Sequence, residues 1–245
     1  MKIKIITFNK ELEAKIDNKY KNENPDLIVP IGGDGTFIHS IQQNLDLVKN
    51  GVPVFGIANG TLNFLMNKYE FDDINKLLNK IEHKNNIEFI ETRLLNYYIN
   101  NEFKGVAVNE VVFGESIREY PTINLNYNQI FKRFQGSMIA IASPIGTTGL
   151  NRNIDGTIIP KLDYDLISIN TIASSIKVHE VVENTEVFIR QEYERAKIPI
   201  LVDNKIVAHM NNNDVLMVKL GMKIKIGFNN LKAFEEKRIL SMINN

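Results

Sequence analysis

The chain has 245 residues and a mass of 28.0 kDa, enough for one large or two small domains with a sizeable core. A content of 44% hydrophobic and 24% charged residues with seven prolines excludes disorder as the main state. Lys and Arg, 29 together, balance 29 Asp and Glu, and cysteine is absent, so neither a nucleic-acid- or membrane-seeking positive field nor disulfide or thiolate chemistry is expected.

Residues 3–7 read as a strand, and the polar stretch after them leaves no room for the apolar core of a secretion signal. With no apolar run near the roughly 20 residues of a spanning helix, a cytoplasmic location is expected. Residues 11–21 predict a charged surface helix carrying Leu12 and Ile16 on one side. The apolar run 27–31 ends in Gly32-Gly-Asp-Gly-Thr36, a strand–turn–helix pattern, with the helix over 37–45. A second strand, 52–57, ends in the small-residue turn Asn59-Gly60-Thr61, and a helix over 72–82 follows. This alternation predicts an α/β domain with a parallel sheet and ligand-facing loops at the strands' carboxyl ends. From residue 87 the pattern changes to short β-prone runs: 87–92, 94–99, 103–113, 123–127, 130–136, 138–143, 166–171, 187–190, 198–202, 215–220 and 223–228. The closing segment 231–242 reads as a helix whose Leu231, Phe234, Ile239 and Leu240 could pack on the first domain. The expected division is therefore 1–85 with 229–245, and a β-rich domain over 86–228.

The sharpest signal is the turn at Gly32. Three glycines in four positions permit positive φ and remove side chains where a ligand approaches, and the helix behind them offers free N–H groups to phosphate oxygens. Neither the GK[ST] ending of a P-loop nor the GxGxxG spacing is present. Asp34 lies in the middle of the turn, where a carboxylate repels phosphate unless it binds magnesium or takes a proton from an attacking hydroxyl. That combination points to phosphoryl transfer, the alternative being a plain helix-capping Asp.

Gly32–Thr36, Asn109-Glu110 within 106–112, and Ser143-Pro-Ile-Gly-Thr-Thr-Gly149, in this order, resemble the NAD kinase family. The segment 56–65 and the closing stretch 228–239 also sit where that family has counterparts. GGDGT alone is shared with lipid kinases, and the ordered set is narrower. The resemblance implies a Rossmann-like first domain, a β-sandwich-like second domain, a site between them, and a homotetramer or dimer. It further implies transfer of the terminal phosphoryl group of ATP or polyphosphate to the 2′-hydroxyl of the adenosine ribose of NAD, with Mg²⁺ or another divalent ion. Asp34 would be catalytic and a possible magnesium ligand, and Gly32, Gly33, Gly35 and Thr36 would hold the donor phosphates.

Asn109 and Glu110 fall between apolar residues of an apparent strand, where unpaired polarity is costly. A ribose diol satisfies both, although a strand end capping local backbone is the alternative. The loop after the strand 138–142 mixes proline, glycines and hydroxyls, and is expected to close over a ligand. On the family pattern, Thr147, Thr148, Gly149, Leu150 and Asn151 would contact NAD. Here Thr147 stands for Ser, Gly149 for Ala and Leu150 for Tyr, so base contact is weaker or supplied differently. Ser137 stands where an NAD-contacting Asp is expected. Asp203 resembles the family's late Asp-Gly turn with Asn204 in place of Gly, a plain turn is the alternative, and no catalytic role is expected for it. The four histidines, His39, His83, His179 and His209, are too widely spaced for zinc, and Ser143 lacks a nucleophile-elbow context. The rival readings are a kinase for another hydroxylated acceptor, such as a lipid or sphingoid base, and a non-catalytic dinucleotide-binding protein.

Overall fold

The computed structural model describes residues 1–59, 63–69, 72–83, 87–115, 119–194 and 197–243. Gly60 and Thr61 of the second small-residue turn lie outside them. The chain divides into two compact units, Met1–Glu91 with Lys223–Lys237, and Thr92–Met222 with Arg238–Asn245.

The first unit is built on a small parallel sheet in which β1 (Ile3–Ile6) pairs with β2 (Leu27–Gly32). Between them α1 (Lys10–Lys15) is capped by the Asn9 side chain, which accepts from the Leu12 N–H at 3.1 Å. The predicted helix to residue 21 stops at Lys15, since Ile16 turns to extended backbone and a short 3-10 turn at Asn18–Tyr20 drives the Tyr20 ring into the core. β2 is buried from Leu27 to Ile31, which explains its uninterrupted apolar run. It runs into α2 (Asp34–Gln43) and α3 (Leu45–Lys49). The expected strand over 52–57 forms ladder pairs only at β3 (Ile57–Ala58), next to β2. Pro53 has no N–H to give, and Val54 makes isolated bridges to Ile28 and Ile226. Asp73 caps α4 (Ile74–Glu82), accepting from Asn75 and Lys76, and the helix buries Ile74, Leu77, Leu78 and Ile81 at helical spacing against the sheet's apolar side chains.

The strands that follow are β4 (Glu88–Ile99), β5 (Glu102–Ala107), β6 (Glu110–Phe113), β7 (Thr122–Tyr127) and β8 (Ile130–Ala142). After the short helix α5 (Leu150–Asn153) come β9 (Leu166–Ser174), β10 (His179–Glu183), β11 (Val187–Gln191), β12 (Ile198–Val202), β13 (Lys205–Met210) and β14 (Leu216–Phe228). α6 (Leu231–Ile243) closes the chain. The sheet of the second unit runs β13-β12-β6-β8-β7-β11-β14-β4-β5, with β9 and β10 attached along β8. Its curl turns on β8, whose first half pairs with β7 and whose second half pairs with β6 and β9. The change of partner falls at Gly136, where a Cβ would stand 2.8 Å from the Ser174 Cβ. Inward side chains of these strands make one apolar core around Phe113, Leu125, Ile139, Ile169 and Ile189.

Several short runs merge into single long strands. The run 103–113 instead breaks at Val108–Asn109, and β10 and β13 are largely unburied edge strands that the sequence pattern does not pick out. On α6, Phe234 packs on Phe228 with ring centroids 4.1 Å apart, but Ile239 and Leu240 are exposed, contrary to expectation, and Arg238 is the fully buried residue.

Candidate active site

The glycine turn lies at the carboxyl end of β2 and opens α2. None of Gly32, Gly33 and Gly35 has a positive φ, which corrects the conformational argument, because the glycines serve for space. A Cβ on Gly32 would collide with Thr36 Oγ1 at 2.3 Å, whereas one on Gly35 would meet nothing within 4 Å. Gly32 is thus required by packing, and Gly35 leaves an open approach to the helix N-terminus. Asp34 does not cap that helix: Gly33 is the cap and no side-chain bond closes it. The Asp34 carboxylate reaches sideways instead, accepting from the backbone N–H of Phe64 at 2.8 Å and of Leu65 at 2.9 Å. Two charge-assisted bonds fix a half-buried carboxylate beside the open turn.

In the second unit the break between β5 and β6 is made by Asp203. Asp203 and Asn204 form the β12–β13 turn with φ of 46° and 67°, a two-residue hairpin in the left-handed region. The Asp203 carboxylate accepts from the N–H groups of Val108 at 2.8 Å, Asn109 at 2.7 Å and Glu110 at 3.3 Å. This lifts Val108 and Asn109 out of regular pairing, with Glu110 the first residue of β6, and presents the Asn109 and Glu110 side chains. Glu110 is 6% exposed, and its Oε2 and Asn109 Oδ1 are buried without a hydrogen-bond partner. Burial, and then the charge of Asp203, push the Glu110 carboxyl up to about 8. Two orphaned acceptors side by side are costly, and a ligand carrying hydroxyls satisfies both.

The loop from Ser143 is stitched beneath this pair. Ser143 N–H donates to Asn109 O at 2.9 Å, and Ser143 Oγ donates to Val108 O at 2.6 Å. Gly146 is so close that a Cβ would stand 2.1 Å from Asn109 O. Residues 143–147 are buried, so this segment is a pinned floor and the expected closure over a ligand is corrected. Gly149 faces the polar pair, since a Cβ there would stand 3.3 Å from Asn109 Nδ2 and 3.7 Å from Glu110 Oε2.

The structure therefore brings Asn109, Glu110 and Gly149 together and turns other candidates inward. Thr147 Oγ1 donates to Pro144 O and accepts from Ile159 N–H and Arg238, while Thr148 Oγ1 donates to Ile145 O. Asn151 is buried, donating to Thr157 O and accepting from Ser168 and Asn170. These side chains support the floor, and Leu150 is 37% exposed beside them. Ser137 does not join the pair. It is buried within β8, five residues before the Ala142 that faces Glu110, roughly 17 Å along the strand.

Two contributors escape sequence reasoning. Asp203 is more than a turn residue, and its signal is an Asp-Asn hairpin apex. Arg238, fully buried on α6, donates to Pro144 O, Ile159 O and Thr147 Oγ1 and so ties down the floor loop. Its only signal is a helical register that places it four residues beyond Phe234.

A small parallel α/β unit followed in the chain by a curled antiparallel unit is a fold shared with NAD kinases of known structure. An NAD kinase from Archaeoglobus fulgidus in complex with ATP superposes with a TM-score of 0.68 at 18% identity, over 91% of this chain and 85% of the other. A yeast NADH kinase complexed with NADH gives 0.70 at 17% identity, over 90% and 68%. Residues 6–86 match the family model of the ATP-NAD kinase N-terminal domain. The NAD kinase of Ureaplasma parvum is 28% identical over 94% of this chain and 86% of its own length. That of Rickettsia rickettsii is 28% identical over 65% of this chain, a match spanning 61% of the relative. Over most of its length the chain is similar to NAD kinases, and over residues 6–86 to the N-terminal domain of that family.

Proposed function

We propose that the protein transfers the terminal phosphoryl group of ATP to the 2′-hydroxyl of the adenosine ribose of NAD, giving NADP. The observation that carries this reading is the pair of orphaned buried oxygens on Asn109 and Glu110, a site wanting a hydroxylated ligand in a chain whose other polar centre is a glycine–acid turn. The solved relatives hold ATP in one case and NADH in the other, which supports a nucleotide donor and a dinucleotide acceptor.

In this reading the donor phosphates lie across Gly32–Thr36, with Gly35 leaving the open approach. Asn109 and Glu110 hold the acceptor ribose by its hydroxyls. Asp34, held by the Phe64 and Leu65 amides, takes the proton of the attacking 2′-hydroxyl or fixes its direction for in-line attack. Alignment and charge stabilisation supply most of the acceleration. Among the described residues no three His, Cys, Asp or Glu side chains gather to hold a metal. A lone carboxylate suits magnesium, which keeps most of its shell as water and substrate phosphate. Asp34 would be its protein ligand, and the ion would neutralise charge on the phosphate oxygens. Assembly as a homotetramer or dimer and residence in the cytoplasm belong to the same proposal. No described helix is long and apolar enough to cross a membrane.

The test is transfer of labelled terminal phosphate from magnesium-ATP to NAD by the wild type and Asp34→Asn, with polyphosphate in parallel and the product identified as NADP. Formation by the wild type and its loss in the variant are expected. Near-normal turnover of Asp34→Asn removes Asp34 from the mechanism, and no NADP with either donor refutes the proposed function.

A further inference from the structure

A phosphate site needs positive charge, and the glycine turn has none of its own. No lysine or arginine occurs between Lys21 and Lys49, and the only ionised side chain within the turn is the carboxylate of Asp34. A nucleoside triphosphate carries about four negative charges near neutral pH, so backbone N–H groups facing Asp34 leave a deficit of cation. The first unit supplies one from the far end of the chain.

Lys237 on α6 extends its amine to the loop that grips Asp34. Its Nζ donates to Asn63 O and stands 4.8 Å above the Phe64 ring, directly beside the Phe64 and Leu65 amides that hold the Asp34 carboxylate. Burial lowers the basicity of this amine, the Asp34 charge acts in the opposite sense, and Lys68 adds repulsion. Asp34, Lys68 and Lys237 therefore share one electrostatic neighbourhood. Lys68 and Lys237 also line the same cavity of about 260 Å³, together with Asn63, Asn229, Phe228 and Phe234. Pockets for whole small ligands span roughly 300–1,000 Å³, so this one suits part of a ligand. Two amines and amide side chains along an apolar wall mark that part as an anionic tail.

We propose that Lys237, with Lys68 beside it, is the cationic arm of the donor site and binds phosphate oxygens of a nucleoside triphosphate. This rests on the proposed kinase reading and deepens it. It gives the glycine turn the lysine that its own sequence lacks, and it balances Asp34 without a second carboxylate ligand.

The experiment compares the wild type with Lys237→Met, Lys237→Arg and Lys68→Met. Binding of magnesium-ATP and of inorganic tripolyphosphate is measured by calorimetry, KM for ATP and for NAD by steady-state assay, and Tm by thermal melting. Lys237→Met is expected to weaken both ligands and raise KM for ATP by ~10-fold or more, the loss of one charge-assisted contact, with KM for NAD and Tm nearly unchanged. Lys237→Arg should restore most of the binding, and Lys68→Met should show a smaller loss. Unchanged binding of both probes in Lys237→Met overturns the proposal. So does an equal rise of both KM values with a fall in Tm, which is the mark of a prop for the Asn63 loop. Should Lys237→Met not fold, Lys237→Gln keeps a donor for Asn63 O without the charge, and wild-type affinity in it is equally fatal. A wild type that binds tripolyphosphate through Lys237 yet makes no NADP sinks the kinase reading alone.

Discussion

The buried carboxyl of Glu110 makes a measurable demand on stability. Its pKa in the folded protein is pushed from 4.5 up to about 8 by burial and by Asp203. Between those values the folded state holds a proton that the unfolded chain has released, so stability is highest at and below pH 4.5 and falls as pH rises towards 8. The difference of 3.5 units, from about 8 less 4.5, corresponds to a ceiling of about 5 kcal/mol at roughly 1.4 kcal/mol per unit. Relaxation and water entry reduce this, and about half is the expected effect. Glu110→Gln has the same shape and no charge, so the wild type and variant should have similar stability at pH 5. At pH 8.5 the variant should be the more stable by about 2–3 kcal/mol, half of that ceiling. Urea unfolding of both proteins at pH 5, 6, 7 and 8.5 reads this directly, because all other titrating groups are common to the two. A stability difference that does not vary with pH refutes the reasoning. The variant should also bind NAD more weakly, since an amide cannot accept from ribose hydroxyls at both of its polar atoms.

Asp203→Ala removes the acceptor for three backbone N–H groups and should lower stability by about 2–4 kcal/mol. It should raise KM for NAD more than KM for ATP, which thermal melting and steady-state kinetics resolve. Gly35→Ala should fold with a wild-type Tm, because its Cβ meets nothing within 4 Å, yet lose ATP affinity by calorimetry. Gly32→Ala should be destabilised by about 1–3 kcal/mol through overpacking against Thr36, and equal Tm values for the two variants would contradict the space argument. Arg238→Met removes the guanidinium donor from Ile159 O and leaves Pro144 O and the Thr147 hydroxyl with one remaining partner group each as donor. It should cost about 3 kcal/mol and increase hydrogen exchange of the amides over 143–151.

The fold class was legible because its signals are local. The buried run of β2, the strand–turn–helix at Gly32 and the change from helical to strand periodicity near residue 87 each lie within a short window. Strand joins were less legible, since a strand such as β8 crosses from one set of partners to another at Gly136, and only the sheet reveals that 130–136 and 138–143 are one element. The Asn109–Glu110 pair stands out in sequence because polar groups in apolar surroundings must have a use, and Asp34 because a carboxylate in a glycine turn shaped for phosphate must have one as well.

The groups that support them carry no such mark. Asp203 holds the backbone of residues almost a hundred positions earlier, Arg238 holds a loop more than ninety positions earlier, and Lys237 bonds to Asn63 across 174. In each case an ordinary charged residue gains its role only from the partner that folding brings to it. Sequence exposes Asn109 and Glu110, because their place among apolar residues conflicts with their chemistry. The groups that aim them conflict with nothing: their partners are backbone amides and carbonyls, which every sequence supplies. That difference gives a testable order of effects. Substitution at Asp34 or Lys237 should change binding or turnover with stability retained, whereas substitution at Asp203 or Arg238 should lower stability first and function through it.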